Sequence, residues 1–135
     1  MHRRNPVRRG EIYWVDFEPK KGREQGGLRP ALVIQNDLGN RFSPTTIVAI
    51  ITRTVPDPHY PFMVVVEPHE SGLPERSVVN CAQLRTISSD PATMRILPPR
   101  GENILRPIGR LSVDKMAAVD LALHRSLGLR CPRSR

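Results

Sequence analysis

The chain has few cysteines and no long apolar run, and each shortage excludes a class of protein. Two cysteines, Cys81 and Cys131, are too few for a disulfide framework. Cys81 lies in a strand-like run and is predicted to be a buried thiol. No stretch approaches the ~20 apolar residues that cross a membrane. Residues 1–6 carry charge but lead into no apolar segment of a secretory signal. We therefore expect a reduced, cytoplasmic protein without a membrane span.

Lysine and aromatic residues are also scarce. Only Lys20, Lys21 and Lys115 are lysines, so arginine supplies most of the 21 basic residues and of the net charge of +8. This charge predicts a polyanionic partner, either a nucleic acid or an acidic protein. A GC-rich genome would enrich arginine and proline without any binding role, and we expect both effects. The length of 135 residues favours one domain.

Short β-rich segments predict a mainly β domain. The predicted strands are residues 11–17, 31–35, 45–52, 62–67, 77–81 and 83–87. Residues 36–40 and 68–74 have the composition of turns. Prolines in residues 88–107 argue against regular structure there. Many short strands with one or two helices indicate a small, partly open barrel.

One helix is predicted near the C-terminus. Ser112 is a suitable N-cap, Asp114 suits the first turn, and Gly128 is a natural C-terminal stop. Four apolar residues at helical spacing are expected on its buried face: Met116, Val119, Leu123 and Leu127.

The loop at residues 22–30, with the sequence GREQGGLRP, separates the first two predicted strands. Gly26 and Gly27 can bring the backbone close to a ligand, because they have no Cβ to clash at positive φ. Arg29 precedes a proline and is therefore biased to an extended backbone, from which it could contact a phosphate through two hydrogen bonds. The spacing of these residues alone favours a simpler interpretation, a surface hairpin loop whose charged side chains are only solvated.

An ordered set of motifs in this chain resembles the MazF/PemK toxin family, the ribosome-independent mRNA interferases of bacterial toxin–antitoxin modules. The motifs are RGEIYWVDF at 9–17, EQGGLRPALVIQND at 24–37, NRFSPT at 40–45, IVAIIT at 47–52, GL at 72–73, SVV at 77–79, QLRTI at 83–87 and IGRL at 108–111. The resemblance covers roughly residues 9–129 and predicts one endoribonuclease domain there, after a basic flexible arm at 1–8 and before a basic tail at 130–135. The connection between Ile87 and Ile108 is longer than is usual for the family, which leaves substrate preference open.

The resemblance implies an α+β fold that is mainly β: an SH3-like barrel with a C-terminal helix, forming a homodimer. It implies a toxin that cuts single-stranded mRNA at a specific sequence without a metal and leaves 2′,3′-cyclic phosphate and 5′-OH ends. It also implies an acidic antitoxin as partner, in complex with which the toxin binds DNA. Two alternatives remain, since fold does not fix function. One is a non-catalytic barrel that binds nucleic acid or protein, and the other is a gyrase-inhibiting toxin.

The resemblance further implies that Arg29 and Thr52 are the catalytic pair. A guanidinium suits phosphoryl oxygens and is a poor base because it stays protonated; whether Arg29 also donates a proton to the leaving oxygen stays open. For Thr52, packing in a strand is the alternative. RNA contacts are predicted for Lys20, Lys21, Arg23, Glu24, Gln25, Gly26, Gly27, Gln83 and Arg85.

The remaining polar and aromatic candidates are assigned plainer roles. Asn36 is expected to bind the backbone, and Trp14 to lie in the core or a dimer interface. The histidines match no family motif and are expected at the surface: His2, His59, His69 and His124. No Cys/His spacing suggests zinc, so we expect no metal and no cofactor.

Overall fold

A computed structural model describes residues 7–17, 27–89 and 95–130. Within these ranges seven strands form one antiparallel sheet in the order β4-β5-β3-β2-β1-β6, with β7 also pairing with β1. The strands are β1 (Glu11–Asp16), β2 (Leu28–Val33), β3 (Thr45–Thr52), β4 (Met63–Val66), β5 (Ser77–Ser88), β6 (Ile96–Leu97) and β7 (Gly109–Arg110). The helices are α1 (Asp37–Phe42), α2 (Pro68–Ser71) and α3 (Val113–Leu127). The sheet curls into a half-barrel closed at one side by α3, which confirms the predicted fold class.

The second strand begins earlier than predicted. It starts at Leu28 rather than Ala31, and so contains both Arg29 and Pro30. Pairing between β2 and β3 begins only at Ala31, so the missing N–H of Pro30 interrupts no bond of that ladder. Arg29 is therefore fixed in a strand, opposite Val15 of β1.

The fifth strand is one continuous strand and not the two short strands that were predicted. Its pairing with β3 nevertheless shifts within it: Ala49 pairs with Leu84, whereas the next residue, Ile50, pairs with Asn80. Residues 81–83 therefore form a bulge. Residue 82, which separated the two predicted strands, marks this change of register rather than the end of a strand.

The predicted turn at 36–40 is wrong, because this segment begins the short helix α1. Asn36 caps the helix, and its side-chain oxygen accepts a hydrogen bond from the Gly39 amide at 2.7 Å. This bond confirms that Asn36 contacts backbone. Asn40 is buried and accepts a hydrogen bond from the Thr46 hydroxyl at 2.6 Å, which ties α1 to β3. A second short helix, α2, likewise occupies part of the predicted turn at 68–74.

Apolar side chains cover both faces of the sheet. Alternate residues of one strand face opposite sides: Leu32 belongs to the core cluster under α3, whereas Ala31 and Val33 belong to the cluster on the other face. From α3, Val119 and Ala122 are buried in the first cluster.

The sequence located α3 correctly at both ends. The Ser112 hydroxyl accepts from the Lys115 amide at 3.1 Å, and Gly128 ends the helix in the left-handed region at φ 65°. Met116 and Leu123 pack on the core as predicted. Leu127 does not: it lies in the last turn, past the buried part of the helix, and is 55% exposed. In the described ranges, no helix has the length and apolar character needed to cross a membrane.

Two glycines bring α2 close to β7. Gly72 ends α2 at φ 78°, and a Cβ on Gly109 would lie only 2.1 Å from the Ser71 carbonyl oxygen. Only glycine permits this backbone contact. The contact fixes the start of the segment 73–75, which forms one wall of a groove at the start of β2 and the end of β3.

Candidate active site

A groove of about 680 Å³ lies where β2 begins and β3 ends. The segment 73–75 forms its opposite wall. Its lining residues are Trp14, Leu28, Arg29, Pro30, Ile51, Thr52, Arg53, Thr54, Leu73, Pro74, Glu75 and Ser77. The structure therefore brings together Arg29 and Thr52, the two residues that the resemblance implied as a catalytic pair.

The register of two strands explains why Arg29 and Thr52 meet. Ala31 pairs with Ile50 at the end of the β2–β3 ladder. The pairing stops there, and continuing the same antiparallel register by two residues brings Arg29 to the level of Thr52. Both residues line the groove. A guanidinium and a hydroxyl can thus approach one phosphate from adjacent strands.

Both side chains can reach a ligand. Arg29 is exposed, and its backbone is held by the β1–β2 ladder. The Thr52 hydroxyl donates to the Thr54 carbonyl at 3.4 Å, which is long for a hydroxyl hydrogen bond. Such a bond is readily exchanged for one to a phosphoryl oxygen, so the groove can supply both a fixed cation and a neutral donor.

One wall of the groove is apolar. Trp14 is partly buried and packs against the core, as predicted, but it also lines the groove. Leu28 is 46% exposed beside it, and Leu73 and Pro74 face them from the other wall. Apolar and aromatic surface of this kind can contact bases and sugars of a single strand.

The sequence did not identify two charged residues of the groove, Arg53 and Glu75. Arg53 Nη1 lies 3.0 Å from Glu75 Oε2, so the pair links the end of β3 to the opposite wall. Their sequence positions were a usable signal, because Arg53 directly follows Thr52 and Glu75 follows the Gly72-Leu73 motif.

The predicted RNA contacts of the first loop fall mostly outside the described residues. These are Lys20, Lys21, Arg23, Glu24, Gln25 and Gly26. Gly27 is described: it is buried, and its carbonyl accepts a hydrogen bond from the Phe17 amide at 2.7 Å. This hydrogen bond joins Phe17 and Gly27, the described residues on either side of the loop, beside Leu28 of the groove lining. Its RNA contacts stay a prediction.

Gln83 and Arg85 lie on β5, away from the groove lining. Both are exposed, and Gln83 belongs to the bulge of that strand. The Arg85 guanidinium lies 5.8 Å from the centre of the Phe17 ring, at the end of β1. Arg85 is therefore near the residue that precedes the first loop. RNA contacts of Gln83 and Arg85 also stay a prediction.

The other titratable candidates lie elsewhere. His59 and His69 are exposed as predicted, His124 is half-buried on α3, and none of the three lines the groove. Cys81 is a buried thiol as predicted, and burial raises its pKa to about 11.

Across residues 7–17, 27–89 and 95–130, no three His, Cys, Asp or Glu side chains form a group suited to a metal ion. Metal independence stays a prediction for experiment.

The sequence matches one protein family over nearly its whole length. The family is described as PemK-like, MazF-like toxin of type II toxin–antitoxin system, and the match covers residues 8–127. The chain is 42% identical over 123 residues to endoribonuclease EndoA of Bacillus subtilis strain 168. That alignment covers 91% of this chain and 96% of EndoA.

Solved structures show the same fold. An endoribonuclease from a mycobacterial species superposes with a TM-score of 0.70 at 21% identity, covering 97% of this chain and all of that one. The MazE–MazF complex (Form-III) from Deinococcus radiodurans contains a chain with a TM-score of 0.67 at 25% identity. That match covers 92% of this chain and 98% of the other.

Proposed function

The chain belongs to the family of PemK-like, MazF-like toxins of type II toxin–antitoxin systems, and from this premise we propose that it cuts single-stranded mRNA in the groove that contains Arg29 and Thr52. Its relation to EndoA identifies it as an endoribonuclease and argues against a non-catalytic barrel or a gyrase inhibitor. The observation that carries the proposed site is the position of Arg29 and Thr52 in one groove, on adjacent strands.

The proposed reaction uses the RNA 2′-OH as nucleophile. Its oxygen bonds to the neighbouring phosphorus while the bond from phosphorus to the 5′ oxygen breaks, which gives a 2′,3′-cyclic phosphate and a 5′-OH. One proton must leave the 2′-OH and one must reach the 5′ oxygen. Negative charge on the phosphoryl oxygens is greatest in the transition state, where fixed donors stabilise it most. Arg29 supplies the charged donor and Thr52 a neutral one.

Sequence specificity requires contacts to RNA bases in addition to the contacts to the scissile phosphate. Single-stranded RNA is commonly read through the edges of unstacked bases. An exposed amide at Gln83 and an exposed guanidinium at Arg85 on β5 can make such contacts, and Arg85 lies beside Phe17 at the start of the first loop. Glu24 and Gln25 of that loop are proposed to contact ribose or base edges.

Cleavage is expected to persist in excess EDTA, because Arg29 and Thr52 can provide the phosphate contacts that a metal would otherwise supply. The test is digestion of a long transcript by the purified toxin with and without EDTA, followed by end-group analysis of the fragments. We expect 2′,3′-cyclic phosphate and 5′-OH ends in both samples. A magnesium-dependent ribonuclease treated in parallel is the control. Loss of cleavage in EDTA that magnesium or zinc restores would contradict the proposal.

We also propose that a cognate acidic antitoxin restrains this toxin. The related Deinococcus toxin was crystallised with MazE, and this chain has a net charge of +8. A disordered acidic segment could lie along the groove and present carboxylates to Arg29, where RNA would place phosphates. Ordering such a segment has an entropic cost, so apolar anchors on Trp14 and Leu28 would be needed. A homodimer would present a longer continuous surface than one subunit and suits this binding mode.

The antitoxin segment and RNA are therefore expected to compete. The measurement is displacement of a labelled, uncleavable RNA from the toxin by the acidic segment of the antitoxin. A matched segment with its carboxylates replaced by amides should displace the RNA only at much higher concentration. A ternary complex, in which neither ligand weakens the other, would rule out occlusion of the groove.

A further inference from the structure

The charged pair across the groove points to a second phosphate contact. We propose that Arg53 binds an RNA phosphate next to the scissile one, and that Glu75 occupies Arg53 as an intramolecular substitute for that phosphate until RNA enters. The inference rests on the proposed function, since it requires that RNA bind in this groove. It concerns affinity and the positioning of RNA, not the chemical step.

Position is the first argument. Arg53, Glu75, Arg29 and Thr52 all line the same groove. Strand β3 ends at Thr52, so Arg53 is the first residue after the strand that carries the proposed catalytic threonine. An RNA strand with one phosphate between Arg29 and Thr52 would pass Arg53 with a neighbouring phosphate.

The strength of the pair is the second argument. The side chains of Arg53 and Glu75 are 77% and 57% exposed, although their atoms approach to 3.0 Å. Ion pairs with this exposure are weak, because water solvates both partners well when they separate. A phosphate offers the guanidinium a bidentate partner and releases a counterion from the RNA, so it can replace the carboxylate.

Charge is the third argument. The lining of the groove contains two arginines and one glutamate, so Glu75 offsets one of the two positive charges there. RNA entering the groove must meet this carboxylate or displace it. The pair therefore holds Arg53 on the groove wall in the free protein while lowering the affinity for RNA.

The experiment measures binding of an RNA that carries a 2′-deoxynucleotide at the cleavage position. We expect Glu75→Gln to tighten binding and Arg53→Ala to weaken it, each on the order of fivefold at low salt. In the Arg53→Ala background, Glu75→Gln should have a much smaller effect, because its partner is absent. The slope of log K against log salt is negative, and its magnitude should be smaller by about 0.7 in the double variant than in Glu75→Gln. That difference is the value for one phosphate contact on a single strand.

A second ion pair provides matched controls. Arg106 and Glu102 form a partly exposed pair at 2.6 Å, with side chains 57% and 38% exposed, that does not line the groove. Glu102→Gln and Arg106→Ala make the same changes in net charge and should leave RNA affinity nearly unchanged. Thermal unfolding of every variant checks that the fold is retained.

Two results would overturn the inference. One is that Glu75→Gln fails to tighten binding, and the other is that it tightens binding equally with and without Arg53. Single-turnover cleavage of ordinary RNA, measured over a range of toxin concentrations, gives a second readout of affinity: Arg53→Ala should raise the concentration that gives the half-maximal rate. If the wild-type protein cuts RNA and Arg29→Ala does not, the proposed function stands whatever the result at Arg53 and Glu75.

Discussion

Replacing Arg29 with alanine is expected to reduce RNA cleavage by on the order of 10²–10³-fold or more, with the fold intact. Arg29 is exposed on β2 and lines the same groove as Thr52, so its removal takes a fixed cation from the proposed position of the scissile phosphate. The β1–β2 ladder is made by backbone groups, so it does not depend on this side chain. The measurement is the single-turnover rate on a transcript whose cleavage sites have been mapped.

Two further variants make this experiment specific. Arg76→Ala removes an exposed arginine that pairs with Glu67 at 3.0 Å outside the groove lining, and it should cut at nearly the wild-type rate. Arg29→Lys retains the charge but not the planar fork of donors, so it should recover only part of the activity. A folded Arg29→Ala protein that cuts as fast as the wild type would show that the assigned site is wrong.

Local signals in the sequence were sufficient for much of the fold. The β-branched run of β3 and the Ser112 and Gly128 caps of α3 are determined by a few neighbouring residues, and both elements lie where the sequence indicated. Helix α1 was missed because Asn36 also suits a turn, and the buried hydrogen bond from Thr46 of the next strand to Asn40, which favours the helix, is not visible in the local sequence. The bulge in β5 depends on pairing with β3, which no local pattern shows.

The site was predictable only in part for the same reason. Arg29 and Thr52 were identified through a family resemblance, and no periodicity in the sequence places them on opposed positions of two strands. For Arg53 and Glu75 the sequence offers only their places next to the Thr52 and Gly72-Leu73 motifs, and nothing in it pairs them with each other. They become a pair across the groove only when Gly72 and Gly109 bring the 73–75 segment up to the end of β3. Non-local contacts of this kind are set by the packing of the whole sheet.

Substitution of a single deoxynucleotide at the cleavage position is expected to abolish cutting at that position. The proposed nucleophile is the 2′-OH, and neither Arg29 nor Thr52 can replace it, because the guanidinium stays protonated and the threonine is a hydroxyl donor to the phosphate. Binding should change little, since arginine contacts to phosphate do not involve the sugar hydroxyl. The experiment compares cleavage and affinity for two oligonucleotides that differ only in this one oxygen atom.

The position of the deoxynucleotide supplies the control. A second oligonucleotide carries the deoxynucleotide one position away from the nucleotide whose 2′-OH is the proposed nucleophile. It keeps that hydroxyl and should still be cut. If water were the nucleophile instead, the first oligonucleotide would be cut as well, and its fragments would lack a cyclic phosphate. Cleavage of that substrate would therefore disprove the transesterification proposed for this groove. Loss of cleavage at unchanged affinity would place the 2′-OH in the chemical step rather than in recognition, because recognition by the 2′-OH would weaken binding in proportion.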